Sequence, residues 1–455
     1  MTRRTWVRLD NASNIFLAAR TDADPKVFRM TTELDHDVDP VVLQQALDAT
    51  FDRFPLYHAV LRRGVFWYYL QDSDLRPVVE PEMQYPCAPI YHEDRRTLLF
   101  RVVHHGRRII VEVFHALSDG TGALWFVTDL VTEYVARRMA EPGLPAAGAS
   151  VEDAGPTGVS AGGVESAGAA AEGAAAPLHD LTVDSFAHHF HRRPRGAPAA
   201  PVARRPRRRV HRVKGTRTPD NRPRVVELTM PAGEVLARAR AEGVALSAYL
   251  TALFFEAVRL SSGGLGRRPT LTASVPVNLR QFFPSTSARN FFATIRLEHT
   301  YGEGADDLGA ICRDLEGQLR DKITPEALER KLRRLIRLER NPALRVFPRA
   351  VKDLILGLVN WATNRGLTVA ISNLGLVRLP EPAESHVARM LFHVSAVRPQ
   401  FCAISHAGLL TVSFTSPFME TSHIREFARL LTTAGVRVSV AAGLVTEEEL
   451  AGAEQ

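Results

Sequence analysis

The sequence has 455 residues, of which 45% are hydrophobic and 24% are charged, and its formal net charge is +7. This composition is typical of a globular protein, and no apolar run reaches the roughly 18 residues that a membrane-spanning helix needs. The cysteines, Cys87, Cys312 and Cys402, are few, odd in number and far apart in the sequence, which argues against a disulfide framework and a CxxC metal site. Since the N-terminus also has no signal-peptide pattern, the sequence predicts a cytoplasmic protein.

The positive charge is concentrated in one segment. Eleven arginines and lysines and no acidic residue lie between Arg192 and Arg217, so the rest of the chain is mildly acidic. Such a segment could belong to a nucleic-acid-associated protein, but this one has no interleaved aromatic residues and no recognisable binding module. We therefore interpret it as a solvated tether.

The basic segment continues a stretch of low complexity. Residues 140–177 contain 13 alanines and 8 glycines, and this composition cannot bury enough surface to offset the loss of chain entropy. We therefore predict a disordered linker over residues 140–209, between an N-terminal half at 1–139 and a C-terminal half at 210–455. Within the linker, Leu181–Phe190 is apolar enough to dock as a short element.

The N-terminal half mixes strands with amphipathic helices. Val27–Leu34 alternates as a strand does, and Asp39-Pro40 is typical of an N-cap followed by a first-turn proline, which predicts a helix over residues 40–54. Two short strands around Arg63-Gly64, a hairpin and a long helix are predicted next, at His58–Gln71, Thr97–His104, Arg108–Phe114 and Gly120–Arg138.

The C-terminal half also mixes both kinds of element, without a regular βαβ order. Predicted helices cover Pro231–Glu242, Ala245–Leu260, Asp306–Lys322, Pro325–Glu339, Ala343–Thr363 and Thr421–Ala434. Predicted strands cover Pro269–Val275, Asn290–His299, Leu367–Ile371, His386–Val397, the hairpin Cys402–Thr415, and Val436–Ala441. This mixture predicts an α+β fold and argues against a doubly wound parallel sheet.

The sharpest local feature is the segment FHALSDG, from Phe114 to Gly120. The chain leaves an apolar strand, turns sharply and enters a helix, so His115 is held on a rigid element from which it can face a cleft. A neutral imidazole there is suited to general base catalysis, because its ordinary pKa is about 6.5. The alternative is structural: Asp119 or Ser118 caps the helix, and His115 is a satisfied, partly buried histidine.

HxxxDG at a strand–turn–helix junction resembles the chloramphenicol acetyltransferase-like superfamily, which includes peptide-synthetase condensation domains, plant BAHD acyltransferases and polyketide-associated acyltransferases. The segments Pro276–Arg280 (PVNLR) and Arg289–Phe292 (RNFF) resemble motifs of its second half. Trp6–Phe16 and Ile371–Gly375 (ISNLG) are similar to its bacterial alcohol acetyltransferase-like branch. The resemblance covers both halves, with the linker as an insertion, and implies two α/β sandwich halves that form a V with a central cleft.

The sequence also departs from these relatives. Condensation domains usually carry two adjacent histidines, whereas Phe114 occupies the first of these positions here. The DFGWG motif of plant members does not occur, and no carrier-protein pattern follows the second half. These differences favour a free-standing transferase that uses a diffusible thioester.

The resemblance implies roles for particular residues. His115 would be the general base. Asp119, followed by Gly120, would orient the turn through an ion pair with an arginine of the other half, and Arg280 is the best match. The planar guanidinium of that arginine suits a bidentate pair with the carboxylate.

An acyl transfer also needs a hydrogen-bond donor for the oxyanion. Ser372, Asn373, Asn290 or a backbone N–H could supply it, and the sequence does not choose among them, since a simple turn at a strand end explains the SNLG segment equally well. We predict no metal site, because the histidines of His188–His191 have no acidic or cysteine partner beside them.

Together these observations predict an acyl-CoA-dependent O-acyltransferase that forms no covalent enzyme intermediate. Its partners would be a small-molecule alcohol and acyl-CoA as co-substrate, with no bound cofactor. Two alternatives remain: a condensation-type enzyme that uses an amine acceptor or a carrier-protein donor, and a catalytically inactive relative that binds a partner through the same cleft.

Overall fold

A computed structural model describes residues 6–9, 11–140, 185–190, 209–218, 222–266, 268–339 and 348–443. Most of the predicted linker therefore lies outside the described residues. Its one described element is the short helix α4, Ser185–Phe190, within the segment that was expected to dock.

The elements predicted before α4 occur in the predicted order, and three further elements that were not predicted occur at Trp6–Arg8, Asn11–Ala18 and Val79–Pro81. Val27–Leu34 is a strand with the predicted bounds, and the predicted helix over 40–54 ends at Arg53. The described elements are β1 (Trp6–Arg8), α1 (Asn11–Ala18), β2 (Val27–Leu34), α2 (Pro40–Arg53), β3 (Ala59–Arg63), β4 (Tyr68–Asp72), β5 (Val79–Pro81), β6 (Phe100–His105), β7 (Arg108–Phe114) and α3 (Gly120–Ala140).

The elements after α4 begin with a strand that the sequence analysis left unassigned. They are β8 (Arg224–Pro231), α5 (Ala232–Ala241), α6 (Leu246–Ser261), β9 (Thr270–Asn278), β10 (Phe292–Thr300), α7 (Leu308–Lys322), α8 (Pro325–Glu339), α9 (Arg349–Asn364), β11 (Val369–Leu376), α10 (Ala383–His386), β12 (Val387–Val394), β13 (Gln400–His406), β14 (Leu409–Ser416), α11 (Ser422–Thr433) and β15 (Ser439–Ala442).

Local chemistry explains why α2 begins where the sequence predicted. The Oδ1 atom of Asp39 accepts hydrogen bonds from the N–H groups of Val41 at 2.8 Å and Val42 at 3.2 Å. Pro40 occupies the first helical turn, where its missing N–H leaves no intrahelical bond unmade. Asp39 therefore satisfies two of the donors that every helix start leaves open.

The strands form two large sheets and one small one. The N-terminal sheet has the order β12-β2-β7-β6-β5, the C-terminal sheet has the order β10-β9-β11-β13-β14-β8-β15, and β1, β4 and β3 form the small sheet. In the C-terminal sheet β11 runs parallel to both of its neighbours, while the other pairs are antiparallel. This mixed topology confirms the predicted α+β class.

Each half has its own apolar core. In the N-terminal half, α2 and α3 enclose an aromatic cluster in which Tyr57 stacks on Phe126 at 4.1 Å. In the C-terminal half, Phe254 of α6 and Phe427 of α11 pack against Phe401 and Phe414 of the sheet. These buried rings supply much of the apolar area that stabilises the halves.

One strand crosses between the halves. β12 follows β11 in the chain, yet it pairs antiparallel with β2, from Leu34 opposite Val387 to Phe28 opposite Val394. Met390 and Phe392 of β12 are buried in the core of the N-terminal half. Residues near the end of the chain thus complete the sheet that begins near its start.

Several predicted bounds differ from the structure. The strand predicted at Leu367–Ile371 runs from Val369 to Leu376, because pairing with β13 continues past the predicted end. The helix predicted at Ala343–Thr363 is described as Arg349–Asn364, and residues 340–347 lie outside the described part. Periodicity alone does not fix such ends, since hydrogen-bond partners from distant strands decide them.

Among the described helices, no single one is long and apolar enough to cross a membrane. Helices α5 and α6 meet that criterion only as a pair, and the chain bends by 85° between them.

Candidate active site

His115 lies at the end of strand β7, where the chain turns into helix α3. Its backbone N–H donates to the carbonyl of Lys26 at 2.8 Å, and the N–H of Leu117 donates to the carbonyl of Phe114 at 2.8 Å. The second bond closes a tight turn between strand and helix. The imidazole is therefore carried by a backbone that is fixed on both sides.

Three phenylalanines from separate elements surround this imidazole. Phe16 of α1 stacks on it at a centroid distance of 3.9 Å, Phe28 of β2 meets it edge-on at 5.0 Å, and Phe292 of β10 lies 5.8 Å away. Since β10 belongs to the C-terminal sheet, the histidine lies where the two halves meet. The sequence analysis gave these rings no role; Phe16 did fall within the segment that resembles the alcohol acetyltransferase-like branch.

Burial lowers the pKa of His115 to about 4, and the charge of Asp119 acts in the opposite direction. The imidazole is therefore neutral near pH 7. Its Nδ1 atom is buried and makes no hydrogen bond to any described residue. The residue is not fully buried, and Nε2 makes no hydrogen bond to a described residue, so Nε2 is the nitrogen available to a bound molecule.

Asp119 links three parts of the site through its two carboxylate oxygens. Oδ1 accepts a hydrogen bond from the N–H of Gly122 at 2.9 Å, in the first turn of α3. Oδ2 accepts one from Nη1 of Arg280 and one from the N–H of Phe291, both at 2.8 Å. Asp119 thus caps the helix and pairs with the arginine at the same time, so the two sequence interpretations are compatible.

The guanidinium of Arg280 is buried against the first turns of α3. Its Nη2 donates to the carbonyls of Ser287 at 2.8 Å and Arg289 at 2.6 Å, while Nη1 alone reaches Asp119. The ring of Trp125 lies 5.3 Å from the guanidinium carbon. The pair is therefore a single hydrogen-bonded contact instead of the expected bidentate one, because the other donors hold the loop before β10.

Two glycines allow the halves to approach at the start of α3. A Cβ atom at Gly122 would lie 2.1 Å from the carbonyl oxygen of Ala288, to which the Ser118 hydroxyl donates at 2.6 Å. Gly120 is less constrained, since a Cβ there would meet the side chain of Leu374 at 3.0 Å. Sequence analysis singled out Gly120 and missed Gly122, because the constraint comes from a distant loop.

Asn290 holds the backbone of the histidine. Its side-chain amide donates to the carbonyl of His115 at 2.8 Å and to Ser13 Oγ at 3.1 Å. Ser13, in α1, donates in turn to the carbonyl of Ala116 at 2.8 Å. Both N–H groups of the amide are therefore used within the protein, and Asn290 ties α1, the turn and the loop before β10 together.

The two polar residues of β11 lie on opposite faces of the strand. Asn373 donates to Ser247 Oγ of α6 at 3.0 Å, which ties it to the C-terminal half. Ser372 is half-buried on the other face, which it shares with Leu374. The side chain of Leu374 lies against Gly120, so this face is directed towards the start of α3.

The histidine cluster near the linker is only partly described. His189 lies 2.9 Å from the carbonyl of Pro284, His188 is exposed, and His191 lies outside the described residues. In the described part of the chain, one group of three side chains brings potential metal ligands within 4.8 Å of one another: Asp35, His36 and His386. Its carboxylate already pairs with both imidazoles.

No family model matches the sequence, and no curated protein matches it. Solved structures share its architecture, among them two acetyltransferases and a condensation domain. The trichothecene 15-O-acetyltransferase TRI3 from Fusarium sporotrichioides is 11% identical, with 95% of this chain and 94% of that chain covered and a TM-score of 0.58. TRI101 of F. sporotrichioides, crystallised with coenzyme A and T-2, is 9% identical over 96% and 99% of the two chains, with a TM-score of 0.55.

The first condensation domain of the CDA synthetase is 15% identical, with 95% of this chain and 96% of that chain covered and a TM-score of 0.54. All three matches extend over both halves of the described chain. The protein therefore has the same two-half α+β fold as these three proteins, which confirms the fold that the sequence resemblance implied.

Proposed function

We propose that the protein is an acyltransferase that moves an acyl group from an acyl-CoA thioester to the hydroxyl of a small-molecule alcohol. The observation that carries this proposal is the neutral imidazole of His115, rigidly held where the two halves meet, with Nδ1 buried and Nε2 available. Proteins of the same fold that act as O-acetyltransferases or bind coenzyme A support a CoA donor and a hydroxyl acceptor.

In this mechanism Nε2 of His115 accepts the hydroxyl proton as the alcohol oxygen attacks the thioester carbonyl. The tetrahedral intermediate collapses, the carbon–sulfur bond breaks, and the imidazolium returns its proton to the sulfur. The products are an ester and the CoA thiol, and no enzyme side chain is acylated. The buried surroundings favour the second transfer, because they destabilise the protonated imidazole.

The negative charge that develops on the carbonyl oxygen needs a preorganised donor. We assign this role to the hydroxyl of Ser372. The amide N–H groups of Asn290 are both used within the protein, and Asn373 is directed towards α6. The face of β11 that carries Ser372 is the one directed towards the start of α3.

Asp119 and Arg280 act as positioning residues in this proposal. Asp119 reaches the first turn of α3, the arginine and the backbone of Phe291, so it holds the histidine turn against the C-terminal half. A pair buried in this way has no face left for the substrate. Its effect on turnover should therefore act through the geometry of His115.

The test is mass spectrometry of the products formed from a panel of acyl-CoAs and a pool of alcohols and amines. We expect an ester mass that requires both substrates and that disappears in the His115→Ala variant. The matched control is His423→Ala, which removes another buried histidine, remote from this turn. Products from amines alone would support a condensation-type enzyme, and the absence of any product would support a binding protein.

A further inference from the structure

Helix α9 is amphipathic, but its apolar side faces solvent and its polar side faces the rest of the protein. None of its residues is buried. Leu354 is 65% exposed and Trp361 is 57% exposed, and the exposed apolar residues recur at helical spacing, so they form one continuous stripe. The stripe consists of Val351, Leu354, Ile355, Leu358, Val359 and Trp361.

Polar contacts fix this orientation of α9. The carboxylate of Asp353 accepts a hydrogen bond from the hydroxyl of Tyr68 at 2.9 Å. At the first turn, the N–H of Arg349 donates to the carbonyl of Val65 at 3.1 Å. The helix is thus anchored to β4 and to the turn between β3 and β4 by its polar side, and its apolar stripe is held outward.

The apolar surface extends beyond the helix on both sides. At the β3–β4 turn, Val65 is 75% exposed and Phe66 is 47% exposed, and Lys352 of α9 donates to the carbonyl of Phe66 at 3.2 Å. On the other side, α1 and α9 border a groove of about 420 Å³ lined by Ala18, Asp353, Leu354, Gly357, Leu358 and Trp361. An exposed apolar surface of this extent marks an interaction site.

Cations border this apolar surface at the β3–β4 turn. The guanidinium of Arg8 and the ammonium of Lys352 lie 3.4 Å and 3.6 Å from the centre of the Trp67 ring. Burial lowers the pKa of Lys352, and the charge of Arg8 lowers it further. These distances place two basic side chains at one aromatic ring beside the apolar stripe.

The positive charge continues along α9 and in the sequence that precedes it. Arg365 lies over the ring of Trp361 at 4.5 Å, just past the end of the helix. Asp353 is the one acidic residue in α9, against Arg349 and Lys352. Residues 330–348, before the helix, contain seven basic residues and one acidic residue, of which Arg333 pairs with Glu329 and Lys331 donates to the carbonyl of Thr294.

We propose that the stripe of α9, together with Val65 and Phe66, docks the protein on the surface of an anionic lipid bilayer. An apolar stripe that carries tryptophan and leucine and is bordered by cations is the pattern of an interfacial helix. The apolar side chains would enter the headgroup boundary, while Arg8, Lys352 and Arg365 attract anionic lipids.

The same charges argue against a second copy of the chain as the occupant. In a two-fold dimer each patch meets its own copy, so the border cations would face like charges across the contact. An anionic lipid surface has the complementary charge and also accepts the apolar stripe. Charge complementarity therefore favours lipid over self-association.

Docking does not depend on the proposed acyl transfer, but it would place the site close to the lipid. Helix α1 contributes Ala18 to the groove beside α9, and it contributes Phe16 to the stack on His115. One helix thus separates the docking surface from the imidazole. A lipid-dissolved acceptor would have a short path to the site.

The experiment is co-sedimentation of the full chain with vesicles of phosphatidylcholine alone, or with about one third phosphatidylglycerol. We expect binding to the anionic vesicles, little binding to the neutral ones, and weaker binding at high salt. The double variant Leu354→Gln/Leu358→Gln should weaken binding to anionic vesicles by about tenfold or more. Both positions are exposed, so this variant should keep the wild-type circular dichroism and melting temperature.

The matched control is Val440→Gln, which replaces an apolar residue of β15 that is 57% exposed, as Leu358 is. This variant should bind vesicles as the wild type does. Wild-type protein that does not bind anionic vesicles, or a double variant that binds them unchanged, would overturn the proposal. So would a wild-type dimer, detected by light scattering, that the double variant converts to monomer, because the occupant would then be a second copy.

Discussion

Two histidines, His115 and His423, have similar electrostatic surroundings but lie in different parts of the molecule. Burial lowers the pKa of each to about 4, and a nearby carboxylate opposes the shift in each case: Asp119 for His115 and Glu420 for His423. Each ring also has one buried nitrogen that makes no hydrogen bond to a described residue. The electrostatics alone therefore do not distinguish them.

Their positions differ. The ring of His423 lies in the first turn of α11 and meets Phe254 edge-on at 5.8 Å, inside the core of the C-terminal half. His115 is 3.9 Å from Phe16 and 5.8 Å from Phe292, which belong to different halves of the fold. A depressed pKa therefore marks burial, whereas the meeting of the two halves marks the candidate site.

The largest expected effect is a difference in turnover between variants of the two histidines. His115→Ala should lower turnover by about 10² to 10⁴, because the alcohol loses its proton acceptor. His423→Ala should leave turnover within about twofold and lower the free energy of unfolding by about 2 kcal/mol, since it opens a cavity in the core. Steady-state kinetics and urea unfolding of both variants measure the difference, and equal turnover in the two would refute the general-base assignment.

The next effect concerns the pair that holds the histidine turn. Asp119→Asn and Arg280→Gln should each lower the free energy of unfolding by about 3–5 kcal/mol, because the surviving charge stays buried. The double variant should lose much less than the sum of the two. A double-mutant cycle by urea unfolding without ligand measures the coupling, and simple additivity would show that the two side chains do not stabilise each other.

A third effect appears as a pH dependence that both histidines share. Their folded pKa of about 4 lies below the unfolded value of about 6.5, so the unfolded chain takes up protons first as the pH falls. Their stabilising contribution is complete above about pH 6.5 and is lost between about pH 6.5 and 4, by up to about 3 kcal/mol each. In His423→Ala the slope of unfolding free energy against pH should be shallower over this range, and an unchanged slope would contradict it.

A smaller effect tests how closely the halves approach. Gly122→Ala should lower the free energy of unfolding by about 2 kcal/mol, because its Cβ would overlap the carbonyl of Ala288. The control is Gly317→Ala, in the exposed middle of α7, where a Cβ meets nothing within 4 Å. That change should stabilise the protein by about 0.5–1 kcal/mol. Melting curves of the two variants should therefore shift in opposite directions.

The smallest effect concerns the predicted linker. Deletion of residues 142–176 should leave turnover and melting temperature nearly unchanged, because this stretch has almost no large apolar side chains. Activity and calorimetry of the deleted form measure this outcome. A large loss of protein from the soluble fraction would mean that the segment contributes to the fold.

Local patterns predicted local structure well. The alternation of Val27–Leu34 and the Asp39-Pro40 pair identified an element and a helix start that the structure contains, because side chains near in sequence determine both. The strand Arg224–Pro231 shows the limit. Its apolar residues also alternate, but this segment follows the predicted linker and was not predicted as a strand.

The residues of the candidate site also fall into two groups: those that the sequence indicates and those that only the structure reveals. The turn from Phe114 to Gly120 was visible because its residues are adjacent in the sequence, and Arg280 was named only through the family resemblance. No spacing rule connects Phe16 or Asn290 to that turn, and Asn290 was a candidate only through the resemblance. Gly122 is near the turn in sequence, but its constraint comes from the carbonyl of Ala288. Their contacts depend on how the two halves pack, which composition and periodicity do not encode.

The crossing strand β12 has a consequence during synthesis. Strand β2 is synthesised early. The strand that covers its edge, β12, is complete only when the ribosome reaches Val394, about 250 residues after the end of α3. At about 5–20 residues per second, the N-terminal sheet waits roughly 10–50 s for its last strand. During that time the edge of β2 is open to pairing with other chains. Slow translation or a nonsense mutation before β12 should therefore produce aggregates, so nascent chains of this protein should depend on chaperones until the last sixth of the message is read.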